Sequence, residues 1–169
     1  MRRKLWFTLL TALLLTGLVL SATAVGGRTA PSSPAVVRVA FNKTLKKTIV
    51  VDGSGRTLYM FTLDTRGVAA LCTPTGPWGT DCPMLWPPLT STGAPLAAKG
   101  INASLLGITK RTDGKPQVTY NRHPLYYYHG GFGAPGTDKK PGDVQGQNFF
   151  SSWYVLSPKG TPIRTPIHT

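Results

Sequence analysis

Short runs of alternating apolar and polar residues, separated by Gly, Pro and Asn, occupy most of the chain between positions 36 and 160. A period of two is typical of β-strands, because successive side chains point to opposite faces of a sheet. Only the segment 96–106 has a pattern that admits a short helix. The pattern predicts an all-β fold with little helix, either a small antiparallel sandwich or an open barrel.

Two hairpins are predicted from turn residues between strand-like runs. Residues 46–51 and 56–62 flank Asp52-Gly53-Ser54-Gly55, where Gly accepts positive φ and Asp bonds within its own turn. Asp113-Gly114 separates the second pair of strands in the same way. Both faces of the strand 56–62 are largely apolar, so this strand is either covered on both sides or presents one face as a binding surface.

The first 24 residues have the three parts of a secretory signal peptide. Met1-Arg2-Arg3-Lys4 is basic, no charge follows until after Gly27, and Ala22-Thr23-Ala24 provides small residues for cleavage after Ala24. The alternative is an uncleaved anchor, since about 20 apolar residues span a bilayer. Both interpretations place the folded part outside the cytoplasm, and membrane contact is expected only if the segment is uncleaved.

The rest of the chain is predicted to contain one domain with two irregular flanks. Residues 25–35 are rich in Gly, Ser, Thr and Pro and are expected to form a flexible linker. Residues 36–160 carry the strand pattern and form a single β-rich domain. Residues 161–169 are punctuated by Pro and are expected to be a loose C-terminal tail.

The charge of the chain is strongly positive. It has 19 Lys and Arg residues against six acidic residues, and loss of the three basic residues before Leu5 leaves 16 against six, a net charge of +10. This charge favours anionic partners such as envelope polymers or phospholipid head groups, whereas nucleic acid is not expected outside the cytoplasm. The alternative is that the charge only keeps the protein soluble.

Cys72 and Cys82 are expected to form a structural disulfide, because an exported chain folds in an oxidising compartment. The alternative is a metal-binding or redox pair, but the spacing is not that of a CxxC motif and no His is near in sequence. The corner Trp86-Pro87-Pro88 is expected to be extended and to close one end of the core, and Trp153 is a second structural aromatic residue.

The order of the motifs resembles a bacterial family of exported proteins. Tyr59-Met60-Phe61-Thr62-Leu63-Asp64 fits the pattern Tyr-x-aromatic-x-x-Asp, and Pro124-Leu125-Tyr126 and Asp138-x-x-Pro141-Gly142-Asp143 follow later. Over residues 48–160 this order resembles the predicted lipoproteins known as the secreted repeat of unknown function. The resemblance implies an exported bacterial protein with two copies of a β-rich repeat, and it implies little about activity.

The chain departs from that family pattern at two places. No Cys lies near Ala24, so lipid anchoring is not expected. In the second repeat an Asp is expected soon after the strand at Tyr126, but His129-Gly130-Gly131 occupies this position and Asp138 comes later. A Gly-rich insertion, 131–137, is the simplest explanation.

Aromatic and acidic residues supply the candidate binding site. Aromatic side chains serve either as core packing or as a ligand platform, and in the run of three tyrosines Tyr127 should lie opposite its two neighbours. Carboxylates could act as an acid–base pair or bind calcium, but they also cap turns. Asp64 is expected to accept hydrogen bonds where its strand ends. The candidate ligand-binding residues are Tyr59, Phe61, Asp64, Tyr127, His129, Asp138 and Asp143.

No catalytic residue, metal site or cofactor is predicted. His123 and His129 flank one strand and could bind a transition metal with a carboxylate, but neither has metal-ligand spacing. The sequence has no nucleophile elbow, phosphate loop, HExxH or haem-attachment motif.

The favoured interpretation is an exported bacterial cell-envelope protein that acts as a non-catalytic binding module. Its basic, tyrosine-bearing face would bind an anionic polymer, a carbohydrate or another envelope protein. One alternative is a metal- or redox-handling protein that uses His123, His129 and the acidic loop, or the cysteines. Another is a hydrolase of envelope polymers with Asp64 or Asp143 as acid or base.

Overall fold

Three small sheets make up most of the regular structure in the computed structural model, which describes residues 33–131 and 136–167. The predicted signal peptide and most of the linker lie outside these residues. The strands do not close into a barrel within this part of the chain, and their sheets pack in the manner of a sandwich. The strands are β1 (Val36–Asn42), β2 (Lys47–Asp52), β3 (Tyr59–Phe61), β4 (Leu96–Ala97), β5 (Leu106–Lys110), β6 (Pro116–Tyr120), β7 (His123–Pro124) and β8 (Trp153–Val155).

The first sheet has the order β2-β1-β4. β1 and β2 are antiparallel. The turn after β2 forms as predicted, since the Asp52 Oδ1 atom accepts the N–H groups of Ser54 and Arg56, both at 2.9 Å. The hairpin predicted across this turn is reduced to a bridge between Val51 and Thr57, because β3 pairs with β8. β4 pairs with β1 in parallel, which corrects the expectation of purely antiparallel pairing. A parallel neighbour requires a long crossover, and the chain between β3 and β4 provides it.

The sheet β5-β6-β7 contains the second predicted hairpin. The Gly114 N–H group donates to the Arg111 carbonyl at 3.0 Å in the turn between β5 and β6. Between β6 and β7, Asn121 and Arg122 have φ values of 49° and 63°. Two consecutive residues with positive φ are typical of the tight turns whose twist matches antiparallel strands.

Tyr59 and Tyr126 occupy the centre of the fold. Tyr59 pairs with Val155 on one side and with Tyr126 on the other, and Tyr126 also bridges to Pro88. The interval from Tyr59 to Pro88 equals the interval from Tyr126 to Val155. The two repeats are therefore interleaved, because each central tyrosine pairs with the corresponding residue of the other repeat.

β3 is covered on both faces, as its pattern allowed. Tyr59 and Phe61 belong to one buried cluster, whereas Met60 and the preceding Leu58 belong to a second. All four side chains are at most 4% exposed. The second face of β3 therefore lies in the core and is not a binding surface.

Two segments have a different local structure from the one predicted. A short helix, α1 (Asp81–Leu85), occurs in a proline-rich stretch where none was expected. Pro83 fits there because the N–H groups of a first helical turn have no intrahelical partner. The segment 96–106 contains β4 and a 3-10 turn (Ala103–Leu105), and Gly100, with φ 86°, interrupts any continuous helix.

The C-terminal segment is held by hydrogen bonds to position 165, which corrects the prediction of a loose tail. The Ile163 N–H group donates to the Val155 carbonyl at 2.9 Å. The Gln147 amide donates to the carbonyls of Ile163 at 2.6 Å and Thr165 at 2.9 Å. Gln147 is buried, and a buried amide requires such partners. Residues 168–169 lie outside the described part.

No helix in the described residues has both the length and the apolar character needed to span a membrane.

Candidate functional site

The two repeat motifs meet in the core through a reciprocal pair of hydrogen bonds. The Tyr59 hydroxyl donates to Asp138 Oδ2 at 2.6 Å, and the Tyr126 hydroxyl donates to Asp64 Oδ2 at 2.7 Å. Each tyrosine therefore serves the aspartate of the other repeat. Tyr59, Asp64 and Asp138 are at most 4% exposed, so the structure places three of the candidate ligand-binding residues in the interior.

The second oxygen of each aspartate is also engaged. Asp64 Oδ1 accepts the Leu71 N–H group, and Asp138 Oδ1 accepts the Gln145 N–H group, both at 2.8 Å and both seven positions further along the chain. This identical environment identifies Asp138 as the counterpart of Asp64. It supports the interpretation of the segment 131–137 as an insertion before Asp138, and it confirms the hydrogen-bond acceptor role expected of Asp64.

Burial controls the protonation of these four groups. Desolvation is the largest cause that raises the pKa of Asp64 and of Asp138, and the hydrogen bonds each carboxylate accepts act in the opposite direction. The pKa values of Tyr59 and Tyr126 lie well above the ordinary value, first because of burial and then because each faces a carboxylate. At neutral pH both phenols are therefore hydrogen-bond donors.

A run of four aromatic rings lies beside these pairs, three of them stacked and the fourth, Tyr128, tilted at 42° to Trp86. Trp86 and Trp153 lie at its centre, with ring centroids 3.9 Å apart and planes only 2° from parallel. Phe61 stacks on Trp153 at 4.2 Å, and Tyr128 lies 4.6 Å from Trp86. The interval from Tyr59 to Trp86 equals that from Tyr126 to Trp153, so the stack repeats the internal symmetry. Trp86 and Trp153 are buried, and the predicted corner Pro87-Pro88 joins this core through the bridge between Pro88 and Tyr126.

Tyr127 points away from its buried neighbours, as strand alternation predicted. Its hydroxyl donates to Asp52 Oδ2 at 2.9 Å, and the Arg56 guanidinium lies 4.4 Å from its ring centroid. Burial raises the pKa of Tyr127, and Asp52 adds to this effect. His129 is exposed, and its pKa is lowered by partial burial and by Arg56. The Tyr127 side chain is therefore held by Asp52 and Arg56, whereas the His129 side chain is exposed to solvent.

A basic groove of about 420 Å³ lies between β1 and the turn at Asp143. Asp143 Oδ2 accepts the N–H groups of Lys139 at 3.0 Å and Lys140 at 3.1 Å, so it caps this turn. The Asn42 amide donates to the Gly142 carbonyl at 3.0 Å and ties β1 to the same turn. The residues that give the groove its character are Arg38, Phe41, Asn42, Lys43, Lys140 and Asp143.

A second groove, of about 390 Å³, is aromatic. Buried rings of the aromatic core line it together with Trp78 and Phe150, which are 44% and 84% exposed. Cys82 also lines this groove, and its disulfide to Cys72, with a Cα–Cα distance of 5.3 Å, confirms the predicted bond. The ring-bearing and acidic residues of this groove are Phe61, Trp78, Asp81, Trp86, Phe149, Phe150 and Trp153.

The two histidines do not form a metal centre with other residues of the described part. No group of three or more His, Cys, Asp and Glu side chains there has an arrangement that could hold a metal ion. His123 is half-buried, its Nδ1 atom has no hydrogen-bond partner among the described residues, and burial is the main cause that lowers its pKa.

The described residues define a disulfide-bonded, all-β protein built from two interleaved repeats. Residues 107–157 match the family model whose description is a secreted repeat of unknown function. This match runs from β5 to just beyond β8, and it confirms the family resemblance expected from the motif order in that segment. No curated protein and no solved structure matches the chain. An extracytoplasmic location agrees with the family's description and with the disulfide.

Residues of both grooves were missed by the candidate list drawn from the sequence. Arg38, Lys43 and Lys140 come from distant segments, and only the fold brings them to one groove. Phe149-Phe150 carried a usable signal, because adjacent aromatic residues before a strand cannot both face the core. Phe150 is 84% exposed in the structure.

Proposed function

We propose that this protein is a non-catalytic binding module that holds an anionic polymer of the bacterial cell envelope in its basic groove. The observation that carries the proposal is the convergence of Arg38, Lys43 and Lys140 on one groove. Clustered cations raise the local concentration of a polyanion and strengthen its binding, most of all at low salt. Phe41, which is 66% exposed in the same groove, offers an apolar contact to the polymer backbone.

Few acidic side chains neutralise the positive charge of the basic groove among the described residues that line it. Among the described residues that line it, Asp143 is the one acidic residue, and two backbone N–H groups already bind its Oδ2 atom. The Arg38 Nε–H group donates to the Gly53 carbonyl at 3.3 Å, which orients a guanidinium that has further donors. Gly55 makes room for this side chain, because a Cβ atom there would lie 2.7 Å from Arg38 Nη2.

The alternative of a hydrolase has less support from the geometry. Asp64 is buried, and both of its carboxylate oxygens are engaged within the protein. Asp143 caps a turn through hydrogen bonds that a general base would have to give up. A binding role does not require Asp64 or Asp143 to change its protonation state.

The test compares two triple variants that lose the same charge. Arg38→Gln, Lys43→Gln and Lys140→Gln are combined in one protein, and Lys110→Gln, Lys115→Gln and Lys159→Gln, which lie outside the groove, are combined in the control. Binding to linear polyphosphate is measured by calorimetry over a series of salt concentrations, with dextran as the neutral polymer. We expect the groove variant to bind about tenfold more weakly, since each exposed charge contributes up to about 1 kcal/mol. An equal loss in both triple variants would contradict a specific groove.

A further inference from the structure

The aromatic groove differs from the basic groove in both shape and charge. Its rings meet at steep angles: Trp78 stands at 74° to Phe61, and Phe149 stands at 64° to both Trp86 and Phe150. Rings in several orientations border a box and not a flat platform. The two grooves share no lining residue, so a ligand of the aromatic groove does not depend on polyanion binding in the basic groove.

Among the described residues, which include all six aspartates, Asp81 is the one aspartate whose side chain accepts no hydrogen bond. The other five each accept at least one hydrogen bond from a turn, a tyrosine or an arginine. Asp81 is exposed and lines the aromatic groove, and no Lys or Arg is among the described residues that line it. In a chain with 19 basic residues, the described lining of this groove therefore carries one negative charge and no positive one.

The loop that carries Phe150 holds an unfavourable backbone conformation. Asn148, Phe150 and Ser151 have φ values of 62°, 47° and 51°. Non-glycine residues adopt positive φ rarely, and conformations of this kind cluster at binding sites. Packing of Phe150 does not offset this unfavourable conformation, because 84% of this side chain is exposed at the edge of the groove.

We propose that the aromatic groove is a binding site for a small quaternary ammonium cation of the choline type. Aromatic faces attract such a cation, and the Asp81 carboxylate complements its charge. A primary ammonium carries three N–H donors that need acceptors. The side chains here offer the Asp81 carboxylate and the Ser152 hydroxyl, which already donates to the Phe150 carbonyl at 3.0 Å. A methylated ammonium has no donors to satisfy.

The decisive comparison uses two ligands of the same shape. Choline has a positively charged quaternary nitrogen where 3,3-dimethylbutan-1-ol has a neutral quaternary carbon, and the two molecules are otherwise alike. Calorimetric titration of the full chain should show choline binding about tenfold more tightly, because the cation–π and Coulomb contributions together reach about 1–2 kcal/mol. Methylammonium should bind more weakly than choline. Absence of choline binding, or equal binding of the neutral isostere, would overturn the proposal.

Matched variants separate this site from the rest of the surface. We expect Asp81→Asn and Trp78→Ala each to weaken choline binding, while Phe41→Ala, which removes an exposed ring outside this groove, leaves it unchanged. Far-ultraviolet circular dichroism and thermal unfolding verify that each variant is folded. Choline binding that survives Asp81→Asn at full strength would also overturn the proposal.

Discussion

Tyr59 and Tyr126 exchange both backbone hydrogen bonds across an antiparallel bridge, with N–O distances of 2.9 and 3.0 Å. Their hydroxyls then reach the aspartates of opposite repeats. A backbone bridge and two charge-assisted side-chain bonds thus join the repeats at one place. Since every partner is buried, each group would be left unsatisfied in the interior if its partner were removed.

Removal of the Tyr126 hydroxyl should destabilise the fold. Tyr126→Phe is expected to lower the free energy of unfolding by about 1.5–3 kcal/mol, because Asp64 would lose a hydrogen bond while staying buried. Denaturant titration measures this change. Tyr120→Phe is the control, since the Tyr120 hydroxyl bonds only neutral groups: it donates to the Pro158 carbonyl at 2.7 Å and accepts from the Asn102 N–H group at 3.3 Å. Loss of this hydroxyl should cost about 1 kcal/mol. A smaller loss in Tyr126→Phe than in Tyr120→Phe would contradict this ranking.

The buried aspartates should give stability a defined pH dependence. Burial raises the pKa of Asp64 and Asp138, so the folded state binds their protons more tightly than the unfolded chain does. The contribution of these bound protons to the free energy of unfolding is complete below the pKa of an aspartate in the unfolded chain, about 3.9. It is lost as the pH rises through the higher pKa values of Asp64 and Asp138 in the folded state. The stability of the wild type relative to Asp64→Asn/Asp138→Asn should therefore fall from pH 3 to pH 7. Denaturant titrations across this range test the sign, and a relative stability that rises with pH would show it to be wrong.

Local features of the fold could be predicted because the turns carry their own chemistry. Asp113-Gly114 identified the β5–β6 hairpin, and Asp52-Gly53-Ser54-Gly55 identified the turn after β2, where the returning chain forms the bridge between Val51 and Thr57 before β3 pairs with β8. Alternation identified the apolar faces of β3. The partners of β3 could not be predicted in the same way. β3 pairs with β8, which is far away in sequence, and strand alternation shows which side chains share a face but not which strand lies alongside.

The sequence also identified individual residues of the candidate site without showing their partners. The repeat motif led to Asp64 and Asp138, but the motif alone did not show that each would bind the tyrosine of the other repeat. Neither groove follows from a motif, because Arg38 and Lys140 meet only in the folded chain, where Asn42 and Thr57 donate hydrogen bonds to the turn at 142–143. Surface sites made of distant segments leave no local pattern in the sequence.

Gly146 should tolerate no side chain. A Cβ atom there would lie 2.7 Å from both Trp86 Cη2 and Tyr128 Cγ, two neighbouring rings of the aromatic run. Gly146→Ala is therefore expected to cost about 1–3 kcal/mol through overpacking. Gly93→Ala is the matched control, because no atom of the described residues lies within 4 Å of its Cβ position and the expected change is within about 0.5 kcal/mol. Thermal unfolding of the two variants measures the contrast, and equal melting temperatures would contradict it.

The disulfide should affect both stability and the aromatic groove. It closes a short loop, with a sequence separation of 10, so Cys72→Ser/Cys82→Ser should lower the free energy of unfolding by about 3 kcal/mol. Cys82 and Asp81 are neighbours at the start of α1, and both line the aromatic groove. A looser α1 would no longer hold Asp81 beside the rings, so choline affinity should fall with stability.

Two controls distinguish this outcome from general unfolding. Reductant should weaken choline binding by the wild type and leave the serine variant unaffected. Polyphosphate binding should persist in both proteins, because neither cysteine is among the described residues that line the basic groove. If the serine variant stayed folded and bound choline as tightly as the wild type, the disulfide would have no part in positioning Asp81.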